Sequence, residues 1–175
     1  MDPIPKQNLT DPELVQAALS CQDDFYYLVK RYEDKLFYYI LRISDLDQDG
    51  AQDVLQDVFI KVFENLNDYD NKLKFSSWIY RITRNEVISN FRKRRSRGQN
   101  EAVVIDEALA NKLASGLSIE REYDAKILEQ GIKEALAKLD RKYREVLVLK
   151  FFEDKDYQEI SDILKKPKGT VATLI

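Results

Sequence analysis

Apolar residues recur along this chain at three- and four-residue intervals, the spacing of an α-helix buried along one face. From Phe25 the series Leu28, Val29, Tyr32, Leu36, Ile40 and Ile43 keeps that period, and after a polar loop at 44–50 it resumes with Ala51, Val54, Leu55, Val58, Val62 and Leu66. Asp11 followed by Pro12 reads as an N-cap with proline at the first helical position, so a short helix is expected from there to about Ser20. A second polar loop, 67–74, leads into a helix over 75–97. Long amphipathic helices on short connections can bury one shared core, so residues 1–97 are expected to form a helical domain.

The pattern then fades. Residues 98–120 have no aromatics, weak periodicity and small or polar residues at both ends, and read as a linker. Between 121 and 175 helical spacing returns. Ala125, Leu128, Ile132, Leu136 and Leu139 mark one helix, and Tyr143, Val146, Leu147 and Phe151 the inner face of a second. Asp156 and Glu159 have capping-box spacing and open a third helix, with Ile160, Ile163 and Leu164 inward. The run KKPKG stops it, and Thr170 with Val171 begins a fourth. A short capped helix, a Pro/Gly turn and a new helix opened by small hydroxyl residues is the arrangement of a helix-turn-helix. The expected fold class is all-α: two small helical domains, 1–97 and 121–175, joined by a linker.

Composition narrows the function. Among 175 residues, 34% are charged and 44% hydrophobic, with only five Gly and four Pro, which favours packed helices over turn-rich β structure. With no histidine, His-dependent catalysis and His-containing metal sites are excluded. The single Cys21 cannot form an intramolecular disulfide and fits a reducing cytoplasm. No signal peptide and no apolar run of membrane length stands out, so a cytoplasmic protein without membrane insertion is expected. The net charge is −3, so positive charge must act locally rather than by coating DNA.

That local charge lies in FSSWIYRITRNEVISNFRKRRSR, residues 75–97. On a helix Trp78, Ile82 and Asn85 share one stripe, two turns in length, and the segment ends in Arg92, Lys93, Arg94, Arg95 and Arg97. Aromatic rings stack on exposed bases, an amide reads a base edge and guanidinium groups hold phosphates. Lys165, Lys166 and Lys168 at the later turn suit phosphate contacts, with Thr170 and Thr173 placed to face base edges.

Three segments, AQDVLQDVFIKVFENL, KFSSWIYRITRNEVISNFRKRR and LDRKYREVLVLKFFEDKDYQEISDILKKPKGTV, together resemble the extracytoplasmic-function (ECF, group 4) sigma factors of bacterial RNA polymerase, in the family's order and spacing. The resemblance implies that Asp53, Gln56 and Asp57 lie on the helix that docks on the polymerase clamp. It implies that the loop NLNDYDNKLKF captures a base flipped from the minus-ten element, with Tyr69 as pocket floor, Asn85 as a wall and Asn65 nearby. Arg81, Arg84 and the 92–97 cluster would then follow the phosphates of the melting duplex. Residues 121–175 would form the minus-thirty-five module and meet the polymerase flap. The family continues with a basic helix where this chain stops at Ile175, so upstream recognition is expected to be incomplete in the chain as given. The implied partners are core RNA polymerase and promoter DNA, with an anti-sigma protein as a further partner that no residue here identifies.

Other readings stand beside this one. Asp45, Asp47, Asp49 and Gly50 spell the start of an EF-hand loop, but Gln56 replaces the bidentate Glu at the twelfth position and Gln52 the apolar eighth. The loop is therefore read as N-capping and helix-dipole chemistry, with no metal or cofactor expected. No Gly-rich phosphate loop or activated nucleophile suggests an enzyme. A helix-turn-helix regulator that binds duplex DNA unaided and a helical adaptor for an acidic surface remain the alternatives.

Overall fold

The computed structural model describes residues 6–96, 131, 132 and 134–175. The expected linker at 98–120 lies outside them, as do Arg97, Ala125 and Leu128. Helix α1 (Asp11–Ser20) is capped by Thr10 rather than by Asp11. The Thr10 N–H donates to Glu13 Oε2 at 2.7 Å, so the carboxylate three residues on satisfies the cap. Asp11 is left free to join α1 to α2 (Phe25–Ile43). Its carboxylate accepts from Arg31 Nη1 at 2.7 Å and from the Tyr32 hydroxyl.

Helix α2 buries Leu28, Tyr32, Leu36, Tyr39, Ile40 and Ile43, close to the expected stripe. Helix α3 (Gln48–Glu64) starts ahead of Ala51 because Asp47 accepts from the Gly50 N–H at 2.9 Å. That bond is the capping role expected for the acidic loop. Helix α4 (Phe75–Ser96) closes the group, with Phe75, Ile79, Tyr80 and Val87 buried. Full burial of each such side chain contributes roughly 1.5–3 kcal/mol.

In the second group Leu136 is buried just before α5 (Arg141–Leu147), which continues into a π turn, Val148–Phe152. The turn corrects the expected inner face. Glu153 N–H donates to the Val148 carbonyl, five residues back, at 3.1 Å. Val148 and Leu149 turn inward beside Val146, while Phe151 is 68% exposed and Tyr143 also faces outward. Helix α6 (Tyr157–Leu164) is opened by the expected box, with Glu159 N–H donating to Asp156 Oδ1 at 2.8 Å. Helix α7 (Lys168–Leu174) begins ahead of Thr170, directly after Pro167, and Val171 anchors it in the core.

Candidate nucleic-acid interface

Helix α4 positions the chemistry. At its start Phe75 is buried and Trp78 half-buried, and Tyr69 in the preceding loop packs on both, with ring centroids 5.4 and 5.3 Å away. The loop is held from within. Tyr69 donates its hydroxyl to the Leu73 carbonyl at 2.6 Å, and Lys72 N–H donates to Asp70 Oδ1 at 3.0 Å. Burial, with the charges of Asp11 and Asp70 adding, pushes the Tyr69 phenol above its usual pKa.

One turn after another, α4 presents Trp78, Ile82, Asn85 and Ser89 to a surface hollow whose other wall is Lys61, Asn65 and Asp68, with Glu86 beneath. Three of the expected residues, Asn65, Trp78 and Asn85, therefore line one hollow. Asn65 is oriented by donating Nδ2 to the Lys61 carbonyl at 2.7 Å. Tyr69 does not line this hollow. It lines a neighbouring one with Asp11, Asn71, Lys72 and Lys74, and its ring packs on Trp78, which lines the first.

The cations divide into two sets. Arg92, Lys93, Arg94 and Arg95 are exposed at the C-terminal end of α4 and make no ion pair with a described residue. Their charge complements the negative end of the helix dipole. Arg81 and Arg84, expected along the same phosphate track, instead face the second helical group. Arg81 donates from Nε and Nη2 to the Asp162 carbonyl at 2.8 and 2.5 Å. Arg84 Nη2 donates to Glu145 Oε2 at 2.9 Å, and the other Glu145 oxygen accepts from Arg141 at 2.8 Å.

This seam between α4 and α5–α6 continues in polar contacts. Tyr80 donates to Glu153 Oε2 at 2.5 Å, and Arg42 donates to Glu153 Oε1 at 3.2 Å. Ser76 donates to Glu159 at 3.2 Å, and Lys74 lies 3.4 Å from Asp156. The Lys155 ammonium lies 4.5 Å from the Tyr80 ring centroid. Burial lowers the Lys155 pKa, while burial, the Glu153 charge and the hydrogen bond to it raise that of Tyr80 well above the phenol range.

Asp53, Gln56 and Asp57 are all exposed on the outer face of α3. Ile60, 56% exposed, continues their stripe and was not singled out in the sequence. The signal was there: an isoleucine four residues after Gln56, out of register with the buried set. At the later turn Lys165, Lys168 and Thr170 are exposed and Lys166 is half-buried. Thr173 is exposed, but its hydroxyl donates back to the Gly169 carbonyl at 2.9 Å.

Residues 28–97 match the Sigma-70 region 2 family and residues 129–175 the Sigma-70 region 4 family. The chain is 34% identical to the ECF RNA polymerase sigma factor SigW of Bacillus subtilis over 158 residues, 88% of this chain and 84% of SigW. It belongs to the ECF sigma factors. The Pseudomonas aeruginosa RNA polymerase sigma-H factor is 29% identical, over 85% of this chain and 78% of that protein. The fold of this sigma factor is shared with CnrH in its complex with the cytosolic domain of CnrY, at a TM-score of 0.67 and 24% identity over 94% of this chain and 89% of CnrH. It is shared also with RpoE of Bartonella quintana in complex with the anti-sigma factor NepR, at 0.65 and 22% identity over 87% and 89% of the two chains. As a sigma factor, the protein binds core RNA polymerase and directs it to promoters. A stand-alone regulator or an adaptor is not favoured. No helix among the described residues is long and apolar enough to cross a membrane.

Proposed function

We propose that this sigma factor works as a non-enzymatic, cytoplasmic initiation subunit that captures one flipped minus-ten base in the hollow beside Asn85. Residues 1–97 and 121–175 act as its two functional units, with 98–120 crossing between them on the polymerase. The observation that carries the reading is the convergence of Asn65, Trp78 and Asn85 on one hollow, beside a basic helix end that has no described ion-pair partner. Flipping a base costs a few kcal/mol of unstacking and unpairing, which stacking and edge contacts offset. Trp78 supplies the ring next to Asn85, and Tyr69 braces Trp78 from the adjoining loop.

Arg92 to Arg95, with Arg97, follow the phosphates. Arg81 and Arg84 join them once the seam opens, exchanging the Asp162 carbonyl and Glu145 for DNA. On α3, Asp53, Gln56, Asp57 and Ile60 meet the polymerase clamp. Lys165, Lys166, Lys168, Thr170 and Thr173 lie toward the minus-thirty-five element. The shared fold of sigma factors solved with anti-sigma partners supports such a protein as a further partner here.

Reconstituted transcription with core polymerase tests the reading. Asn85→Ala and Trp78→Ala should abolish promoter opening while polymerase binding stays intact. Asp57→Lys should weaken the polymerase complex first. Normal opening by both hollow variants would end the proposal.

A further inference from the structure

Three of the cations between residues 72 and 84 are held by the second helical group. Lys74, in the loop of Tyr69, lies 3.4 Å from Asp156 and 3.5 Å from Glu159. Arg81 donates twice to the Asp162 carbonyl, and Arg84 donates to Glu145. Every acceptor is an oxygen with full or partial negative charge, the same chemistry that a phosphate offers a guanidinium or an ammonium. The Glu145 side chain is 3% exposed and that of Arg84 19%, so a phosphate cannot reach Arg84 while the pair stands.

The contact is also incomplete. Arg84 Nε and the Tyr39 hydroxyl are buried without a hydrogen-bond partner among the described residues. Tyr39 lies beneath the same contact, its ring centroid 5.0 Å from that of Tyr80. A buried donor left unpaired counts against the closed arrangement, and water or phosphate would satisfy it on opening. Arg92 to Arg95, by contrast, are exposed in this arrangement.

Resting on the phosphate track described above, we infer that the second helical group is an internal competitor of DNA. Glu145, Glu159 and the Asp162 carbonyl hold Lys74, Arg81 and Arg84 where phosphates would bind. The chain free of polymerase therefore keeps its DNA-binding helix half masked. The basic end at 92–95 gives a weak first contact, and the other cations join only when the seam parts. Apparent affinity is then that of the open form scaled by the fraction of chains that are open. The charges of Glu145 and Glu159 set that fraction.

Binding of a random-sequence DNA single strand to the full chain without polymerase reads this, because phosphate contacts carry no sequence information. Glu145→Gln with Glu159→Gln removes both charges, and glutamine preserves the capping box at Asp156. This double variant should bind about tenfold more tightly than the unaltered chain. Asp23→Asn with Asp34→Asn neutralises two exposed carboxylates of the first group and changes the net charge equally. Screened by salt, that pair should shift affinity by less than about twofold, and a gain equal to the first overturns the proposal.

Energy transfer between dyes on Cys21 and on Gly169→Cys, both exposed sites, follows the seam itself. A Cβ added at Gly169 meets nothing within 4 Å. Transfer should fall as the strand saturates the unaltered chain and should already be low in the double variant. Saturation without a change in transfer overturns the proposal with no seam variant needed, which covers the case where circular dichroism shows the double variant misfolded. A folded double variant that opens but gains no affinity overturns the phosphate track together with the masking. One that neither opens nor gains overturns the masking alone. The strand has no fixed sequence, so base capture beside Asn85 stands or falls separately.

Discussion

Helix α4 meets its neighbours in two different ways. Toward the first helical group it contributes Phe75, Ile79 and Val87, all nearly inaccessible to water. Toward the second helical group its polar contacts run through Ser76, Tyr80, Arg81 and Arg84, with Lys74 just ahead of it. Apolar packing has no equivalent partner once exposed to water, so the first group stays closed. A polar contact exchanges for water or phosphate at a net cost of only about 0.5–3 kcal/mol. Contacts of the second kind therefore cost less to exchange than the first costs to open.

Leu28→Ala should break the permanent side and cost about 2–5 kcal/mol in urea unfolding, since Leu28 is fully buried and its neighbours cannot all collapse. Arg84→Glu should break the exchangeable side. It sets like charges against Glu145 and should raise the radius of gyration in X-ray scattering, with a stability change of about 1–3 kcal/mol. A loss as large as that of Leu28→Ala would merge the two kinds of contact. Asp47→Ala removes the cap of α3 and should lower first-group stability by about 1 kcal/mol with no change in the scattering.

The smallest effect is a titration. Tyr80 has its pKa raised by burial and by Glu153 across the seam, so its stabilising contribution is fully present below pH 10 and fades as pH rises through the higher folded value. Phenolate absorbance should show Tyr80 ionising late, and Glu153→Gln should bring its ionisation to lower pH. No change on that substitution would mean that burial within the first group, and not the seam, sets the shift.

Much of this was legible from spacing. The stripes of α2 and α3, the capping box of Asp156 and Glu159, and the Trp78–Asn85 alignment all follow from helical period. What escaped depended on contacts distant in sequence. Nothing near Arg81 announces that its partner is the carbonyl of Asp162, and Lys61 and Glu86 meet only because α3 and α4 pack together. Phe151 lies within a π turn, where α-helical period does not predict the buried face and composition carries no mark of the change. At the start of α1 both Thr10 and Asp11 suit the cap by residue type, and Asp11 is drawn away by Arg31 and Tyr32 while Thr10 pairs with Glu13.

Lys165 ends α6 with a φ of 53°, a left-handed conformation that costs a side-chain-bearing residue about 1–2 kcal/mol. Glycine would adopt it freely, so Lys165→Gly should raise the melting temperature. A fold selected for robustness alone would carry glycine at that bend. This one tolerates the strain and keeps an exposed cation where the two helices turn.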